Sequence, residues 1–189
     1  MPEVELRTQF EAALTAEVYA AAWRYAWRLA AAGRGGCREE AEDLLQEALT
    51  QAWRQFGQLR TRAQFKAWLL SIVRSRHLDR LRRQRRRPQV DSEPPAELAA
   101  PSILAADEAG VVEALALLPA AERELLTLFY CEGLSLADTG MALGLSARVV
   151  RQRLYRARQA LRRLCGGSAA GPAVQPQAQP GTSPRRTLL

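Results

Sequence analysis

Apolar residues recur every three or four positions along most of this chain, and nowhere do they alternate at the two-residue period of a half-buried strand. Phe10, Leu14, Val18, Ala22, Tyr25 and Leu29 form the first such stripe, closed by Gly33, Gly35 and Gly36, and predict one helix. A second helix is expected from about Glu39, with Leu44, Leu45, Ala48, Leu49, Ala52, Trp53 and Phe56 on its apolar side and Gly57 at its end. Its first turns carry Glu39, Glu40, Glu42 and Asp43, where acids suit the helix dipole. A third runs from about Ala63, with Phe65, Trp68, Leu69, Ile72 and Val73 as its stripe, straight into "LDRLRRQRRRP". Its first half is built to pack and its second half to be solvated. The fold class is all-α.

From Pro88 to about Ala106 the sequence turns to Pro, Ala, Ser and Glu without periodicity, the composition of a flexible linker. Two small helical domains are therefore expected: a three-helix domain over 1–87, the linker over 88–106, and a second domain over 107–165. In the second domain Val112, Leu115 and Leu118 mark a helix closed by Pro119, and Leu125, Leu126, Leu128 and Phe129 mark another, broken at Gly133. A short helix from Leu136 to Leu143, a glycine at Gly144, a cap at Ser146 and a longer helix from Ala147 then give the outline of a helix-turn-helix. The last stretch, 166–189, has too few large apolar residues to pack and reads as a disordered tail.

The formal charge of +7 comes almost wholly from arginine, since Lys66 is the sole lysine. It is unevenly placed. Met1 to Arg60 holds nine acids and seven arginines, Ile72 to Pro88 eight arginines and one acid, and Ala147 to Leu164 seven arginines and no acid. Arginine grips phosphate through a planar fork, so one basic helix in each domain points to a polyanionic, nucleic-acid partner. In a helix-turn-helix the start of the second helix reaches base edges in the major groove. Here those residues are Arg148, Val149, Arg151 and Gln152, with Tyr155 and Arg156 one turn on.

Other chemistries find little support. Cys37, Cys131 and Cys165 are far apart with no metal-ligand spacing, so neither a metal nor another cofactor is expected. His77 is the sole histidine and has no cysteine or paired acid at catalytic spacing, so no catalytic residue is assigned. The N-terminus lacks the build of a signal peptide, and no apolar run reaches the ~18 residues of a membrane span. A cytoplasmic protein is expected, with no membrane insertion.

With the two halves in this order, the sequence resembles the extracytoplasmic-function (ECF) class of bacterial RNA polymerase sigma factors in the sigma-70 family, which keep regions 2 and 4. "AEDLLQEALTQAW" resembles region 2.2, "FKAWLLSIVRSRHLDRLRRQRR" regions 2.3 and 2.4, and "LPAAERELLTLFYCEGLSLADTGMALGLSARVVRQRLYRAR" region 4. The resemblance implies that Asp43, Gln46 and Glu47 face the β′ clamp helices of core RNA polymerase. It also implies that the third helix, through Arg74, Ser75, Arg76, Arg80, Arg82, Arg83, Arg85 and Arg86, engages the promoter −10 element. Region 4 is implied to meet the β flap and, through the helix-turn-helix residues named above, the −35 element of promoter DNA. An anti-sigma factor is a further implied partner. Phe65 and Trp68 lie on the apolar stripe, where core packing is favoured over base stacking.

Two departures from the family pattern stand out. Val73, Arg74 and Ser75 replace the usual Ala-Arg-Asn, putting a hydroxyl where an amide is common. Asp138, Thr139 and Gly140 replace Glu-Ile-Ala, placing a hydroxyl in a core slot and a glycine inside a helix, at a propensity cost of about 1 kcal/mol. The expected function is that of a dissociable sigma factor directing promoter recognition and transcription initiation. The alternative is a helix-turn-helix regulator acting without polymerase, which would leave the Asp43, Gln46 and Glu47 face idle.

Overall fold

A computed structural model of the chain describes residues 3–31, 38–86 and 109–165, so the expected linker and tail lie outside the described residues. The described residues form eight α-helices and no strand. The first helical stripe is not one helix but two, α1 (Glu3–Ala13) and α2 (Ala16–Ala31). The break falls at Thr15, whose hydroxyl accepts from the Val18 amide at 3.3 Å and so caps the start of α2. Apolar spacing alone missed it because Phe10 stays on the core side of the break. Its ring meets Trp53, Phe56 and Phe65 edge-on, with centroids 5.3, 5.1 and 5.6 Å away.

Helix α3 (Arg38–Gln55) buries Ala41, Leu44, Leu45, Ala48 and Ala52, all on one side. It tightens into a 3-10 turn at Phe56–Gln58, where the Arg62 guanidinium covers the buried Phe56 ring at 3.7 Å and donates to its carbonyl at 2.8 Å. Helix α4 (Phe65–Arg86) behaves as its two halves predict. Phe65, Ala67, Leu69, Leu70, Ile72 and Val73 are buried, whereas every residue from Arg82 to Arg86 is exposed. Helices α2, α3 and α4 pack together as the first unit. Phe65 is in the core and Trp68 is half-buried beside it, with centroids 5.9 Å apart.

In the second unit, α5 (Ala109–Leu117) and α6 (Ala120–Leu126) flank Pro119. The end of α6 widens into a π turn at Thr127–Cys131, and Gly133, at φ 65°, reverses the chain. Helix α7 (Leu136–Leu143) starts under Ser135, whose hydroxyl accepts from the Asp138 amide at 3.1 Å, and ends at Gly144 with φ 69°. Helix α8 (Ala147–Leu164) starts under Ser146 and buries Val150, Leu154 and Ala157 against the rest of the unit. The helix-turn-helix outline of the sequence is thus present helix for helix.

Thr139 does occupy a core slot, fully buried, and its hydroxyl has no hydrogen-bond partner. Gly140 has a reason that propensity does not disclose. A Cβ there would lie 2.5 Å from the Leu145 carbonyl oxygen, so the turn of the motif folds back over the helix where only glycine leaves room. The two units also do more than hang from a linker: α4 packs along α7, and one apolar core runs through both.

Candidate functional site

Because Leu44, Leu45, Ala48 and Ala52 turn inward, the alternate face of α3 is left to polar residues. Asp43, Gln46 and Glu47 are all exposed there. With Thr50, Gln51 and Arg54 further along the same face, and Arg76 and Arg83 from α4, they line an open groove of about 510 Å³. The residues implied for polymerase and two of those implied for the −10 element therefore share one groove. Thr50, Gln51 and Arg54 were not singled out from the sequence, although they continue the face at helical spacing. Glu47 is not free: Arg80 donates to its carboxylate at 2.7 Å and to the Glu40 carbonyl at 3.2 Å, tying α4 to α3.

The remaining α4 residues divide by environment. Ser75 is exposed, as are Arg82, Arg83, Arg85 and Arg86, and Arg82 pairs with Asp79 at 3.0 Å. Arg76 is half-buried in the groove. Arg74 is turned inward onto Glu124 of α6 at 3.1 Å. His77 sits half-buried between them; burial holds its imidazole below the ordinary histidine range, with the Arg80 and Arg74 charges adding to this and Glu124 opposing it. Among the described residues the solvated cations of α4 are concentrated in its last turn and a half.

Helix α8 shows a clean division. Val150, Leu154 and Ala157 are buried, and Arg148, Arg151, Gln152, Tyr155 and Arg156 are exposed, with Val149 half-exposed at the edge. Arg153 and Arg158 join the same solvated surface, and Arg158 reaches the Tyr130 hydroxyl at 3.4 Å. No acid lies on α8, so this face is uniformly positive, the condition for tracking a phosphate backbone. Among the described residues no group of three or more histidines, cysteines or acids could hold a metal ion, and no helix is long and apolar enough to cross a membrane.

Sequence reasoning missed the polar cluster between the units. The Glu132 side chain, fully buried, accepts from Arg24 at 2.7 Å and Arg28 at 2.8 Å, both on α2. Burial pushes its carboxyl up, but the hydrogen bonds from Arg24 and Arg28 and their charges outweigh this and hold it below the usual carboxylate range. Lys66 donates to the Glu132 carbonyl at 2.8 Å and pairs with Glu17 at 3.1 Å. Nearby, Glu124 accepts from the buried Tyr25 hydroxyl as well as from Arg74; burial, then the Glu124 charge and hydrogen bond, push the Tyr25 phenol well above its ordinary value.

Two helical units, the second a helix-turn-helix with a bare arginine face, define a class of DNA-binding protein, and similarity to known proteins supplies the family. Sigma-70 region 2 matches residues 14–87 and sigma-70 region 4 matches residues 109–161. The chain is 36% identical over 128 residues to the ECF RNA polymerase sigma factor SigM of Mycobacterium tuberculosis, covering 68% of this chain and 65% of that one. It is 34% identical over 162 residues to SigL of the same species, another ECF RNA polymerase sigma factor, covering 80% and 89%. Among solved structures, the sigma factor RpoE of Bartonella quintana, in its co-crystal with the anti-sigma factor NepR, superposes with a TM-score of 0.56 at 25% identity, covering 78% of this chain and 91% of that one. The chain belongs to the ECF class of the sigma-70 family. It spans 33% of the length of another curated relative, the probable RNA polymerase sigma factor RfaY of Xanthomonas campestris, and 55% of that of the ECF RNA polymerase sigma factor SigE of Mycolicibacterium smegmatis.

Proposed function

We propose that this chain is a dissociable sigma factor that binds core RNA polymerase in the cytoplasm and directs promoter recognition and transcription initiation, with no covalent chemistry of its own. The observation that carries this reading is the exposed carboxylate-amide face of α3 in the same chain as the arginine face of α8. A regulator acting without polymerase would need only the second. On this reading residues 1–87 hold polymerase through Asp43, Gln46 and Glu47 at the β′ clamp helices. The α4 residues Arg74, Ser75, Arg76, Arg80, Arg82, Arg83, Arg85 and Arg86 serve the −10 element. The unit over 107–165 meets the β flap and reads the −35 element through Arg148, Val149, Arg151, Gln152, Tyr155 and Arg156. An anti-sigma factor is a further proposed partner, as RpoE has in the co-crystal.

The test is transcription in vitro from a genomic promoter library, with core polymerase and this chain as the only specificity factor. Defined start sites that depend on the chain are expected. Replacing Asp43, Gln46 and Glu47 together by alanine should abolish co-elution with core polymerase while circular dichroism shows the helices intact. Because Glu47 also holds Arg80, the Asp43→Ala/Gln46→Ala pair is the cleaner variant. Unchanged co-elution of both variants would remove the assignment of this face.

A further inference from the structure

We propose that Arg80 is a positioning residue for the polymerase-binding face, holding the Glu47 carboxylate in the orientation in which it is presented to core RNA polymerase. The proposal rests on the sigma-factor reading and refines it at one residue, moving Arg80 from the promoter set of α4 to the polymerase set of α3. What sets Arg80 apart is how fully its guanidinium is used within the first unit. Nη2 and Nε donate to the two oxygens of Glu47 at 2.7 and 3.4 Å, and Nη1 donates to the Glu40 carbonyl at 3.2 Å. Glu40 and Glu47 stand two turns apart on α3 with the buried Leu44 between them, so one side chain of α4 is braced against two points of α3. Only 24% of the Arg80 side chain stays in solvent, whereas Arg82, Arg83, Arg85 and Arg86 are all exposed.

The direction of the grip makes it a brace rather than a mask. Glu47 lines the open groove with Asp43 and Gln46, whereas Arg80 lines a separate pocket of about 70 Å³ with Glu40, Leu44 and Ala30, on the α2 side of the pair. Glu47 thus receives Arg80 from outside the groove and keeps 47% of its side chain exposed. An ionised carboxylate offers about four lone-pair sites, and Arg80 takes one on each oxygen, which leaves acceptor capacity for a donor entering through the groove. Gripping a phosphate asks for the opposite arrangement, a fork whose N–H groups are free and directed at solvent. A loose glutamate gives up rotamer freedom when it binds, and one already fixed in the free chain has less to lose. A pair between two partly exposed groups adds little to stability, so the brace is expected to show in affinity rather than in folding.

The experiment is a double-mutant cycle on core polymerase affinity. The full chain, Arg80→Gln, Glu47→Ala and the double variant are titrated with core polymerase, with circular dichroism melts to show that all are folded, and Arg80→Gln is repeated in an Asp43→Ala background. Arg80→Gln is expected to weaken binding by about two- to tenfold in the parent chain and beside Asp43→Ala, and to have no further effect once Glu47 is alanine. A loss that persists in full beside Glu47→Ala would show that Arg80 acts through the packing of α4 on α3, and would overturn the positioning role. Unchanged polymerase affinity in Arg80→Gln would overturn it as well, and weaker promoter binding by the resulting holoenzyme would then return Arg80 to the −10 set. Failure of the parent chain itself to bind polymerase would overturn the sigma-factor reading, and the proposal with it.

Discussion

Thr139 is the one buried side chain among the described residues whose polar atom has no partner. Its hydroxyl lost its water on folding and received nothing in return, a penalty of about 1–3 kcal/mol for an unsatisfied group. Thr139→Val keeps the shape, removes the hydroxyl and should raise stability by about 1 kcal/mol, read as a melting temperature roughly 2–4 °C higher for a chain of this size. A fall in melting temperature would mean that the hydroxyl is satisfied after all. Its neighbour Gly140 shows where sequence reasoning reaches its limit at this scale. Helix propensity counts Gly140 only as a cost, because propensity describes an isolated helix; the close approach of the Leu145 carbonyl, which excludes a Cβ, is a tertiary fact.

At the scale of single helices much was legible. The packed and solvated halves of α4 follow from where the apolar stripe stops and the arginines begin, and the glycine and serine around α7 and α8 are the residues that cap them. The break between α1 and α2 was not, since Thr15 interrupts the backbone without interrupting the stripe, and the π turn after α6 has no periodicity of its own. The exposed arginines of α8 and of the end of α4 differ in setting, and so in expected role. Arg151 lies in the first turns of α8, the second helix of the helix-turn-helix, so under the proposed function Arg151→Ala should cost about 1–3 kcal/mol on a matched −35 element and much less on a scrambled one. Arg83→Ala, Arg85→Ala or Arg86→Ala should weaken both promoters alike and make the salt slope shallower by roughly one unit for each phosphate no longer neutralised. Salt titrations of holoenzyme binding on the two promoters decide this. Equal weakening of both promoters by Arg151→Ala, with altered sequence preference for the α4 variants, would reverse the roles.

The docking of the two units was illegible in the sequence for a physical reason. Its polar contacts join residues about a hundred positions apart, such as Arg24 with Glu132 and Tyr25 with Glu124, and an acid carries no mark in the sequence of the partner it will meet. A linker composition suggests independence, yet one apolar core runs through α4 and the second unit. That continuity has a measurable consequence. All four tryptophans, Trp23, Trp27, Trp53 and Trp68, belong to the first unit, so their emission reports its unfolding alone. Leu128, fully buried in the second unit, should lose about 2–5 kcal/mol on substitution by alanine. If the second unit supports the first through their shared core, Leu128→Ala should lower the denaturant midpoint followed by tryptophan emission, although no tryptophan is near the substitution in sequence. The shift is bounded by the free energy of docking, because a first unit stripped of its partner keeps its own α2, α3 and α4 packing. Superimposable emission curves for Leu128→Ala and the parent chain would show that the two units unfold independently.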